Sequence, residues 1–94
     1  MTGSVSVDKK SVVGGINVCK LSIESLESSA SRLENEYEQA GKDGWRDNKY
    51  RDLGILITQC TSSLKKPVTE LNECMDKLRA LLKEIEQYEE IRIV

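Results

Sequence analysis

The chain has 94 residues, of which 38% are hydrophobic, with no Phe, one Trp and three Tyr, so it offers a single small domain few bulky side chains for a core. Lys and Arg (14) nearly balance Asp and Glu (16), for a net charge of -2, which lacks the basic excess that neutralising nucleic-acid phosphates requires. The sequence holds no histidine, and so lacks the commonest general base and metal ligand.

The first stretch, Met1 to Lys10, is small and polar and reads as a flexible or loosely docked arm. It shows neither the basic end nor the apolar stretch of a secretory signal peptide. From there the apolar residues fall in steps of four and three: Val12, Ile16, Cys19, Ile23, Leu26, Ala30, Leu33, Tyr37 and Ala40. This is a helical stripe and not a strand pattern. Gly14 and Gly15 weaken the first turns, each by ~1 kcal/mol. Gly41 follows the last stripe residue, where a left-handed C-cap is expected. The first helix is therefore placed at about residues 11–40.

The turn at 41–46 contains Gly41 and Gly44 and permits a sharp reversal. Asp47 is the favoured N-cap of the next helix, with Asp43 as the alternative. A second stripe then runs Tyr50, Leu53, Ile57, Cys60, Leu64, Pro67, Leu71, Cys74, Leu78, Leu81, Ile85 and Tyr88. Pro67 removes a hydrogen bond and crowds the carbonyl four residues back. The apolar register passes through it unshifted, so the reading is one helix over about 47–90, kinked near Pro67, with a split into two helices as the alternative. The longest uncharged run, Leu53 to Leu64, is 12 residues. A membrane span needs ~20 mostly apolar residues, so none is expected.

Two such helices joined by a short connection form an all-α antiparallel helical hairpin. At 1.5 Å per residue their lengths would be roughly 45 and 65 Å, a rod and not a globule. Beside the main stripe of the second helix lies another apolar line, Val68, Met75 and Leu82. One partner helix cannot cover three lines. The wide face, Val68, Leu71, Met75, Leu78, Leu82 and Ile85, is therefore expected to bind further helices, most simply as a four-helix bundle with a partner.

Little in the chain points to chemistry. Cys19, Cys60 and Cys74 match no metal-ligand or redox spacing, sit on the stripes, and read as small core residues. An odd cysteine count without a framework suggests reduced thiols and folding in a cytoplasm. Glu24, Glu27, Glu34, Glu36 and Glu38 read as a solvated helix face, and the mildly basic tip from Lys42 to Arg51 as soluble turn chemistry. Gly14-Gly15 has no phosphate-loop pattern, and no Ser or Thr has a base. The expectation is no catalysis, no cofactor and no metal. Trp45 stands apart because it occupies the inter-helix turn. It either caps the seam over Ala40 and Leu53 or helps build a binding surface at the tip, and these roles are compatible.

With two amphipathic helices and a Trp in a glycine-containing turn, the chain resembles the WXG-type (ESAT-like) small helical proteins of type VII secretion. The stretch that carries the resemblance is Gly44-Trp45-Arg46-Asp47-Asn48-Lys49-Tyr50-Arg51-Asp52-Leu53. The family's Gly is Asp47 here, which keeps a helix start. The export signature expected after the second helix is absent, since Tyr88 is followed four residues on by Arg92. The resemblance implies a divergent, chaperone-like bacterial accessory member. Such a member pairs with the helical N-terminal domain of a larger secreted toxin, which completes both the bundle and the export signal. It also implies partner binding through Trp45, Asp47 and Tyr50 together with the wide face. The complex would fold in the cytoplasm and leave through a type VII pathway without a cleaved signal peptide. A WXG-like paralogue or a second copy is the other partner considered. The competing class is a structural or regulatory coiled-coil subunit of a phage or cytoskeletal assembly.

Overall fold

The computed structural model describes residues 2–42 and 47–93, with side chains over 9–42 and 47–89. Two helices form an antiparallel hairpin: α1 spans Thr2–Lys42 and α2 spans Asn48–Ile93. No strand occurs among the described residues. The chain divides into two compact units. A turn-side unit comprises Ile23–Thr69, and a terminal unit comprises the described residues up to Ser22 together with those from Glu70 onward.

Both ends of α1 differ from the sequence expectation. α1 begins at Thr2 and not near residue 11, so residues 2–10 of the segment read as an arm are helical. Val5 lies one heptad before Val12 and extends the apolar period backwards. Lys9 helps fasten this end, donating from Nζ to Glu89 Oε2 at 3.2 Å. At the other end, Gly41 is no left-handed cap. It lies within α1, which continues to Lys42, and it is buried. α2 runs unbroken through Pro67, so the split into two helices does not occur.

Asp47 starts α2 as expected. Its Oδ1 accepts from the Tyr50 amide at 3.0 Å and its carbonyl from the Arg51 amide at 3.2 Å, the pattern of an N-cap residue. Ahead of Pro67, three hydroxyls turn back onto helix carbonyls. Thr58 donates to Gly54 at 2.9 Å, Thr61 to Thr58 at 3.1 Å and Ser63 to Gln59 at 2.8 Å. Such bonds satisfy the side chains locally and tend to bend a helix.

The α1 stripe is covered at every position: Val12, Cys19 and Ile23 are buried, and Ile16, Leu26, Ala30, Leu33, Tyr37 and Ala40 are half-buried. On α2 the covered line differs from the predicted stripe. In the turn-side unit it runs Tyr50, Gly54, Ile57, Thr61, Leu64 and Val68. In the terminal unit it runs Leu71, Met75, Leu78, Leu82, Ile85 and Glu89. The steps still alternate four and three, but the intervening residue comes four places after each anchor instead of three. Leu53, Cys60, Cys74, Leu81 and Tyr88, expected in the seam, are exposed, and Pro67 is half-buried. The Val68, Met75 and Leu82 line, assigned from sequence to a partner, belongs to the covered set, with Met75 buried.

Specific partners explain why small and polar residues occupy that line. A Cβ on Gly54 would lie 2.5 Å from the Tyr37 hydroxyl oxygen, so only glycine leaves room for the ring. Thr61 satisfies its hydroxyl within its own helix, and Glu89 receives Lys9. The anchors at 50, 57, 64, 71, 78 and 85 are common to both readings.

Candidate functional site

A reciprocal aromatic clasp organises the turn-side unit. Tyr37 of α1 and Tyr50 of α2 stack with ring centroids 4.4 Å apart and planes inclined by 9°. Each ring reaches a glycine on the opposite helix. Tyr37 lies against Gly54, and the Tyr50 hydroxyl would be 2.5 Å from a Cβ on Gly41. In both helices the glycine follows the tyrosine by four residues, one helical turn, so the same Tyr-x3-Gly unit is used twice. A sequence search for short repeats would have found it.

Of the residues expected to bind a partner, Trp45 lies outside the described residues, as do Asp43 and the rest of the turn at 43–46. Asp47 is exposed and serves as the cap, while Tyr50 is half-buried in the clasp. The six wide-face residues are covered within their own units: Val68 in the turn-side unit, and Leu71, Met75, Leu78, Leu82 and Ile85 in the terminal unit. Met75 is buried and the other five are half-buried. The helices do leave apolar surface exposed, but elsewhere.

In the turn-side unit the exposed set is Leu53, Ile55 and Leu56, with Leu53 at 37% the least open. In the terminal unit it is Val13, Val18 and Leu21 on α1 and Leu81 and Tyr88 on α2, with Leu21 at 64% and Tyr88 at 55%. Sequence reasoning assigned Leu53, Leu81 and Tyr88 to the seam and passed over Val13, Val18, Leu21, Ile55 and Leu56. Their signal was an apolar residue standing off the stripe.

Two shallow grooves mark the turn-side unit. The larger, about 540 Å³, is lined by Leu26, Ala30, Leu64 and Val68, with Glu27 and Lys65 among its polar residues. Ala30 and Thr61 are the small residues whose lack of bulk opens it. The smaller, about 420 Å³, lies beside the clasp and is lined by Tyr37, Arg51, Gly54, Ile55, Thr58 and Gln59. The five glutamates on α1, from Glu24 to Glu38, are exposed, as a solvated face requires.

Among the described residues no group of three or more His, Cys, Asp or Glu is placed to hold a metal ion. Cys19 titrates away from its ordinary value. Burial pushes its thiol above the ordinary value of 9.0, and a hydrogen bond and charge from the neighbouring Cys74 thiol add to the effect. No described helix is long and apolar enough to cross a membrane. The features that remain are surfaces: exposed apolar side chains in each unit and a shallow groove. Compared with known family models, curated proteins and solved structures, the chain matches none.

Proposed function

We infer that the chain is a non-catalytic interaction module, a WXG-like partner that binds the helical N-terminal domain of a larger secreted effector and helps target it for type VII export. The observation that carries the reading is the exposed apolar set in each unit, Leu53, Ile55 and Leu56 in one and Val18, Leu21, Leu81 and Tyr88 in the other. Apolar surface of this kind is what a further helix would cover in a bundle. The hairpin architecture and the Asp47 cap two residues after Trp45 agree with the resemblance drawn from the sequence.

The test is co-expression with a candidate effector whose N-terminus is helical, followed by mass measurement and assay of the effector in the culture supernatant. A stable complex that carries the effector outside the cell supports the reading. Trp45→Ala should leave assembly largely intact and abolish export. If the chain stays a folded monomer beside every helical product of neighbouring genes, the reading is wrong.

A further inference from the structure

Two of the three cysteines stand opposite one another in the terminal unit. Their placement follows from the helix register and not from spacing in the sequence. A Cβ on Gly15 would lie 3.2 Å from Leu78 Cδ1, so Gly15 of α1 and Leu78 of α2 face each other across the pair. In antiparallel helices, one turn forward along one helix and one turn back along the other meets the next facing pair. One turn forward from Gly15 is Cys19, and one turn back from Leu78 is Cys74. The missing side chain at Gly15 lets the backbones draw together one turn from the thiols, and a disulfide needs Cα atoms within ~4.4–6.8 Å.

We propose that Cys19 and Cys74 form a redox-closable pair that staples α1 to α2 in the terminal unit, with a low-molecular-weight disulfide of the glutathione type as oxidant. Cys74 is exposed and Cys19 is buried, which sets the order of events. The Cys74 thiolate attacks the small disulfide, forming a mixed disulfide and releasing one thiolate. The Cys19 thiolate then attacks Cys74 Sγ and displaces the second. Both cysteines lose a proton, and their two electrons reduce the small disulfide to two thiols. Only a sulfur already inside the unit can reach Cys19, so the structure favours closure within the chain over mixed products on Cys19. Cys60 is exposed and lies 14 residues before Cys74 on α2. It belongs to the turn-side unit, whereas Cys19 and Cys74 both belong to the terminal unit. The inference stands independently of any secretion role.

The experiment exposes the purified full chain to oxidised glutathione and maps the products by peptide mass spectrometry without reduction. The expected result is one internal link joining Cys19 and Cys74, with the loss of two hydrogens, in the wild type and equally in Cys60→Ser. With an effective thiol concentration in the millimolar range against micromolar chains, closure should outpace dimer formation by about a thousandfold. Cys74→Ser, altered at an exposed position, should keep its helical circular dichroism and lose the link. A folded Cys60→Ser protein that yields only glutathione adducts, or dimers joined through Cys74, overturns the proposal.

Discussion

At Gly41 and Gly54 the absent side chain has a definite use, because each makes room for a tyrosine whose ring is already fixed by stacking on the other. Alanine would gain ~1 kcal/mol of helix propensity over glycine. At Gly54 it would also drive a Cβ into the Tyr37 ring, whose Cζ would be 2.7 Å away. Overpacking of this kind costs ~1–3 kcal/mol, and the stacked pair forfeits ~0.5–1.5 kcal/mol more. Gly54→Ala should therefore lower stability by about 0.5–3.5 kcal/mol in thermal denaturation. Gly14 meets nothing within 4 Å, so Gly14→Ala should raise stability by about 1 kcal/mol, and the opposite signs test whether the clasp sets the glycine requirement. Cys19 gives a second prediction at this scale. Its thiol titrates above the ordinary 9.0 because the neutral form is favoured in the folded state. That contribution is fully present below the ordinary thiol value and is lost as pH rises through the raised one. Denaturation of the wild type should show an alkaline decline that Cys19→Ala lacks. At neutral pH a time course of alkylation should label Cys60 and Cys74 before Cys19.

The helices are governed by their ends and by one interior proline. Asp47 binds the Tyr50 amide from an exposed position, so Asp47→Ala should cost ~1 kcal/mol, with Asn restoring most of it. Pro67 deprives the Ser63 carbonyl of its intrahelical donor. Pro67→Ala should raise stability by about 1–3 kcal/mol, read as a higher melting temperature of the helical signal. These features were visible in the sequence because caps and prolines act on their own helix. The α1 stripe was legible for the same reason, since its nine apolar positions carry one unbroken period. The α2 seam was legible only in part. Its anchors are strongly apolar, but the choice between residues three and four places on is not decided by hydrophobicity. By that measure Leu53 and Tyr88 surpass Gly54 and Glu89, yet Gly54 and Glu89 are the covered ones. The deciding contacts, Tyr37 with Gly54 and Lys9 with Glu89, join residues on different helices. Periodicity within one helix contains no term for them. The same exchange moves the surplus line of α2, which runs through the exposed Leu53, Cys60, Cys74, Leu81 and Tyr88.

For the molecule as a whole, that exchange gives adjacent leucines opposite expected roles. Leu82 belongs to the covered line of the terminal unit, whereas Leu81 is exposed. Burial of a Leu side chain contributes ~1.5–3 kcal/mol, and an unpaired carboxylate in its place adds a desolvation cost. Leu82→Asp should therefore unfold the terminal unit, seen as lost helical circular dichroism and rapid proteolysis on both sides of the substitution. Leu81→Asp places the same charge where water already reaches, so its cost to folding should stay within ~0.5 kcal/mol. If the exposed apolar side chains are what a partner covers, Leu81→Asp should instead weaken association, since it buries a charge in the new interface. Light scattering of the wild type and both variants, with and without a co-expressed helical partner, separates the outcomes. A folded Leu81→Asp protein that no longer enters the complex marks the exposed line as the binding face. A Leu81→Asp protein that assembles as tightly as the wild type removes Leu81 from it. A folded, stable Leu82→Asp protein would contradict the seam itself.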